Sequence, residues 1–169
     1  MMKFYYHILA MAIVSLLLSC SDRGVENEPS IVTDAQLLSL AQAPGGWVYY
    51  RNSTDTIVKA SNSAHDEPRL RTRYNAKAAT QLDVNGKVRL DPNFPDSSLI
   101  VKELFTGPSI TTLAIMFKLR SAPNAGNGWI WSELDAGGNV KISAASRGAG
   151  CVSCHSAGLD YTRMNDAHP

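Results

Sequence analysis

The chain has 169 residues, 44% of them hydrophobic, with 16 Lys and Arg against 15 Asp and Glu for a formal net charge of +1. That length fits one domain with a core of ordinary size. So even a charge balance excludes the basic footprint of a nucleic-acid binder and gives no reason to expect an anionic surface as partner.

Residues Met1 to His7 carry one lysine, Lys3, ahead of the almost wholly apolar run Ile8 to Leu18, and Ser19 directly precedes Cys20. The run is too short for a permanent membrane span and has the flanks of a signal peptide; a Cys behind a small residue is where bacterial lipoproteins are cleaved and acylated. Residues 1–19 are therefore expected to be removed and Cys20 to carry lipid. This places the protein in a bacterial cell envelope, as a periplasm-facing or outer-membrane lipoprotein. A short anchor with an incidental Cys is the alternative. Residues 20–33 are polar and aperiodic and suit a flexible tether, leaving 34–169 as the folded domain.

Folding is expected to begin near Thr33. Thr33 and Gln36 have capping-box spacing, Leu37, Leu38 and Leu40 offer a short apolar face, and Pro44-Gly45-Gly46 stops the helix. Short runs rich in β-branched and aromatic residues follow at 47–50, 56–59, 87–90, 99–105, 111–119, 128–134 and 139–143, and are predicted strands. Turn chemistry separates them at Asn85-Gly86, Phe94-Pro95-Asp96-Ser97, Gly107-Pro108, 123–128 and Ala136-Gly137-Gly138. In 111–119, Leu113, Ile115, Phe117 and Leu119 alternate with Thr112, Ala114, Met116 and Lys118, the period of a strand with one buried face. Residues 68–82 read as a second helix, because Ala76, Ala78 and Ala79 favour helix and Leu70, Tyr74 and Ala78 share a face. The expected fold is mainly β (α+β): an antiparallel meander with a few short helices, the C-terminal one carrying the motif described next.

Cys151-Val152-Ser153-Cys154-His155 has the spacing of a c-type haem attachment motif. Two residues between the thiols let one helical turn reach both porphyrin vinyl groups, and the next residue then points its imidazole at the iron. Gly148 and Gly150 would let the backbone approach the macrocycle. A redox dithiol, a partial zinc site and coincidence are the alternatives; zinc would need a further ligand, and His65 and His168 read as surface histidines. Only fourteen residues follow His155, which leaves no room for a downstream axial methionine of the small electron-transfer kind. Met164 reads as an apolar contact on the tail, so the distal side of a haem must be built by the β region.

Three stretches carry a family resemblance: Phe94-Pro95-Asp96-Ser97-Ser98-Leu99-Ile100-Val101-Lys102-Glu103; Met116-Phe117-Lys118 through Gly128-Trp129-Ile130-Trp131; and Gly148-Ala149-Gly150-Cys151-Val152-Ser153-Cys154-His155-Ser156-Ala157. In that order they resemble the cytochrome P-460 family, which includes cytochrome c′-beta, from about Thr33 to the end. The resemblance implies a mostly antiparallel β domain, one covalent haem c held by Cys151 and Cys154, a five-coordinate iron with His155 on its proximal side, and commonly a homodimer. In the hydroxylamine-oxidising branch a lysine is joined to the porphyrin, and Lys102 stands where that lysine is expected. The other reading of Lys102 is an exposed strand residue paired with Glu103 or another acid.

The same branch relays protons through a distal glutamate, near whose position Arg120 falls, and an arginine cannot act as a general base. That departure puts hydroxylamine dehydrogenation in doubt. Glu133 is another candidate acid, without a motif match. Trp129 and Trp131 share a strand face and are expected in the core or around the haem, while Met116 or Phe105 would supply an apolar distal wall. The expected function is an exported c-type cytochrome that binds or redox-transforms a small nitrogenous ligand, nitric oxide or hydroxylamine, at an open iron position. The alternative is a membrane-tethered electron carrier serving a partner protein, with no substrate at the metal.

Overall fold

The computed structural model describes residues 30–163. The expected signal peptide, Cys20, most of the tether, Met164 and His168 lie outside the described residues. Helix α1, Asp34–Gln42, starts with the expected capping box: Thr33 Oγ1 accepts the Gln36 N–H at 3.2 Å, and Gln36 Oε1 accepts the Thr33 N–H at 2.8 Å. Its buried residues are Leu37 and Ala41, one turn apart, rather than a Leu37-Leu38-Leu40 face; Leu40 is exposed. The helix is capped by Ala43, whose extended backbone is what a following Pro44 imposes.

Seven strands form one antiparallel sheet: β1 (Val48–Tyr49), β2 (Ile57–Val58), β3 (Arg69–Tyr74), β4 (Leu99–Thr106), β5 (Ser109–Lys118), β6 (Trp129–Asp135) and β7 (Val140–Ile142). From β3 to β7 the strands follow one another as a meander, and β1 and β2 both pair with the outer edge of β3. Among the described residues two one-turn α-helices, α2 (Ala76–Ala79) and α3 (Val152–His155), and two short 3-10 turns, Tyr50–Asn52 and Ala144–Ser146, complete the fold. No helix among the described residues is long and apolar enough to cross a membrane.

Two expected elements are corrected. The helix over 68–82 is instead strand β3 followed by the single turn α2. Leu70, Thr72 and Tyr74 alternate with Arg69, Arg71 and Arg73, and a strand lets every second residue enter the core while paired strands on both sides satisfy its backbone. Tertiary pairing overrides the local alanine preference. The strand at 87–90 reduces to an isolated bridge between Leu82 and Val88, and Leu90 stands 88% exposed in solvent.

Both faces of the central strands are buried, not one. On the first face Val101, Ile115, Ile130 and Leu134 pack against Leu37 and Ala41 of α1. On the second, Leu70, Tyr74, Ile100, Leu104, Met116, Trp129 and Trp131 meet the C-terminal segment through Cys151, Val152, Leu159 and Tyr161. This explains why β4 reads almost continuously apolar, as strands covered on both sides do. The second face carries the cavity.

Candidate functional site

The strand register sets two parallel rows of side chains on this face. Thr72, Lys102, Ala114 and Glu133 are direct partners across β3 to β6, and Tyr74, Ile100, Met116 and Trp131 form the next row. Together with the segment from Gly150 and part of the 60–65 loop, these rows enclose a cavity of about 200 Å3. Cys151, Cys154, His155, Lys102, Met116 and Glu133 all line it.

Glycine brings the C-terminal segment down onto the sheet. Gly148 has φ +75, and a Cβ there would sit 2.6 Å from the Trp131 ring and 2.7 Å from Val152, so a side chain would lift the segment away. Cys151 then caps α3, whose single turn carries Cys154 and His155. Both cysteines are free thiols, Cys151 half-buried and Cys154 exposed. Burial first, and then the charges of Glu133 and Cys154, push the Cys151 thiol above its ordinary value.

His155 packs edge-on against Trp131, with ring centroids 4.9 Å apart at 74°. Its Nδ1 lies 2.8 Å from the Tyr161 carbonyl oxygen, an acceptor only, so Nδ1 carries the proton and Nε2 keeps its lone pair. Burial, reinforced by the charge of Lys102, pulls the imidazole down to about 4 and keeps it neutral at physiological pH. A neutral ring with Nδ1 tied to a carbonyl is oriented to ligate through Nε2.

Lys102 is not an exposed partner of Glu103. The two point to opposite faces: Glu103 receives Arg71 Nε at 2.6 Å and Arg73 Nε at 2.8 Å on the α1 side, while Lys102 lines the cavity. Desolvation pulls the Lys102 amine down to about 8; the positive charge of Arg163 adds to this and Glu133 opposes it. Glu133 is held by His65, Nδ1 to carboxylate oxygen 3.3 Å, with both side chains 17% exposed. His65 is thus a cavity-wall residue and not a surface one. Nothing in its polar sequence surroundings signals this; the 60–65 loop has to fold over the sheet first.

Two expected distal residues fall elsewhere. Arg120 binds Asp96 Oδ1 at 2.7 Å, the Phe94 carbonyl at 2.8 Å and Asn93 Oδ1 at 3.0 Å, away from the cavity. Phe105 lies outside the cavity, under the Arg71 guanidinium at 5.4 Å from its centroid. Trp129 and Trp131 share the expected face, but only Trp131 reaches the cavity; Trp129 is fully buried behind it, donating its indole N–H to the Asp160 carbonyl at 3.0 Å. No three His, Cys, Asp or Glu side chains among the described residues are grouped to hold a metal ion, which leaves the zinc alternative without a ligand set there.

No family model matches the chain, and no curated protein matches it.

Proposed function

We propose that the protein is an exported c-type cytochrome of the cytochrome P-460 kind, with one haem c joined to Cys151 and Cys154 and its iron ligated by His155. The observation that carries this reading is convergence. Cys151, Cys154 and His155 from the C-terminus meet Lys102, Met116, Trp131 and Glu133 from three separate strands around one cavity. The donor set fits the group: two free thiols and a neutral imidazole lie on one helical turn, against a wall of Ile100, Met116 and Trp131. Such a group supplies one-electron chemistry and an open iron position for a small ligand.

The chain's own residues have distinct parts in this reading. The Tyr161 carbonyl holds the Nδ1 proton of His155 and keeps the ring turned for ligation. Ile100, Met116 and Trp131 exclude water and favour a small neutral molecule such as nitric oxide or hydroxylamine. Glu133, in place of Arg120, is the acid on the cavity wall that can exchange a proton with that ligand. Lys102, with its amine lowered to about 8, is available either as a second proton carrier or as the residue joined to the porphyrin. The N-terminal acyl anchor at Cys20, a homodimer and an unidentified redox partner protein belong to the same reading.

A second reading, an electron carrier tethered to the membrane, is favoured by the exposure of Cys154, which would bring the attached edge of the haem near solvent and a partner. One experiment separates the two. The matured ferrous protein should carry the mass of one haem and show a high-spin, five-coordinate spectrum. A six-coordinate, low-spin spectrum without added ligand rejects ligand binding at the iron and supports the carrier, and absence of the haem mass rejects both. An unchanged spectrum in Lys102→Ala removes the porphyrin link.

A further inference from the structure

The turn that carries the Tyr161 carbonyl is strained. Asp160 and Tyr161 have φ of 44° and 63°, consecutive left-handed residues, neither of them glycine. For a residue with a Cβ this conformation is disfavoured, and it persists only where its surroundings over-determine it.

Here the surroundings converge on Asp160. Its Oδ1 accepts Lys118 Nζ at 2.7 Å, its Oδ2 accepts the Phe94 N–H at 3.1 Å, and its backbone oxygen accepts the Trp129 indole N–H at 3.0 Å. The three anchors brace one another. Lys118 Nζ lies 4.6 Å from the centroid of the Trp129 ring, and Phe94 meets that ring edge-on at 5.5 Å. Leu159 and Thr162 close the turn with two backbone hydrogen bonds of 2.9 Å. The opposite end of the turn requires Gly158, where a Cβ would fall 1.9 Å from the Thr162 oxygen.

We propose that Asp160 is a positioning residue for His155: clamped by Lys118, Phe94 and Trp129, it holds the strained turn that aims the Tyr161 carbonyl at the imidazole Nδ1. This rests on the reading of His155 as the haem ligand. Asp160 touches neither His155 nor the cavity; it acts through one backbone carbonyl. The strain at Asp160 and Tyr161 is the cost of presenting that carbonyl, and the salt bridge with Lys118, whose side chain is 4% exposed, offsets it.

The test compares the full-length, haem-matured protein with Asp160→Leu, Lys118→Met and, as a control in the opposite core, Leu134→Ala. In Asp160→Leu the haem stays attached by mass, but the iron–imidazole stretching band of the ferrous protein moves to lower frequency, since an imidazole that has lost its Nδ1 hydrogen bond is a weaker donor. Lys118→Met, which keeps the Phe94 and Trp129 anchors, moves the band the same way by less. Leu134→Ala lowers the melting temperature without moving it.

If Asp160→Leu and Lys118→Met lose stability while the band stays in place, Asp160 is merely structural and the proposal is overturned. Should Asp160→Leu fail to fold, Lys118→Met decides alone. If the wild-type chain carries no haem, the reading of His155 as its ligand is what fails. The 15N shifts of the His155 ring in that same chain then test the clamp. A wild-type ring protonated at Nδ1 and a tautomer mixture in Lys118→Met support it, and identical rings overturn it.

Discussion

Lys102 and Glu133 stand in one row of the sheet with only the methyl group of Ala114 between them. Two strand spacings put their Cα atoms about 10 Å apart. An amine and a carboxylate thus flank a niche that exists because the middle residue is small. Both line the cavity that His155 enters from the C-terminal side.

If the chain carries haem as proposed, filling that niche separates its attachment from the binding of a ligand. Ala114→Leu should leave the haem content unchanged, because Cys151, Cys154 and His155 come from another wall, and should weaken nitric oxide binding at least about 10-fold by occupying the ligand's space. Spectrophotometric titration of the ferrous variant checks this; wild-type affinity would mean that the ligand does not sit beside Ala114.

The Lys102 amine is ordinarily charged below 10.5 and in the fold below about 8. Between those values the unfolded chain binds more protons, so this group makes stability rise with pH across that window; below it, a full penalty for burying the charge remains. Lys102→Met in the chain produced without haem should therefore be more stable than wild type at pH 7, by up to about 3 kcal/mol. The gain should shrink from pH 8 towards 10.5 in urea titrations.

On the other face, Glu103 pairs with both Arg71 and Arg73, and Arg73 is further held by the Ala41 carbonyl at 2.7 Å and stacked over Trp47 at 4.0 Å. Glu103→Gln leaves Arg73 buried without its counter-charge and should cost about 3 kcal/mol. Because Glu103 faces away from the cavity, the optical spectrum should stay that of wild type. A changed spectrum would show that the two faces are coupled.

Asp34 ties α1 to the end of the sheet. Burial alone would raise its carboxyl, but hydrogen bonds from Ser132 Oγ at 2.6 Å, the Ala144 N–H at 2.7 Å and Ser143 Oγ at 2.8 Å outweigh that and hold it below 3.8. A lowered carboxylate stabilises the fold above the ordinary value, and the contribution disappears as pH falls through the lowered one. Asp34→Asn should lose about 1–2 kcal/mol at neutral pH, with the difference vanishing in acid. Urea midpoints at pH 7 and at a series of pH values falling below 3.8 would show it.

Local chemistry was enough for some of this protein. The Thr33-Gln36 capping box depends on residues three apart, and most of the strand runs are marked by β-branched and aromatic composition between turn residues. The spacing of Cys151, Cys154 and His155 is likewise local, and one turn of α3 preserves it. What misled was also local. The alanines of 76–79 outweighed the alternation of 69–74, whose strand exists because β1, β2 and β4 pair with it.

The tertiary structure alone decided which neighbours face which way. In a strand, a shift of one residue moves every side chain to the other face, so Lys102 in the cavity and Glu103 on the α1 side follow from register against Ala114 and Leu113. The inclusion of His65, the exclusion of Arg120 and the Asp160 clamp behind His155 each join residues remote in sequence. Local periodicity marks the elements; burial on both faces of one sheet, settled only when the chain closes on itself, selects the residues that meet.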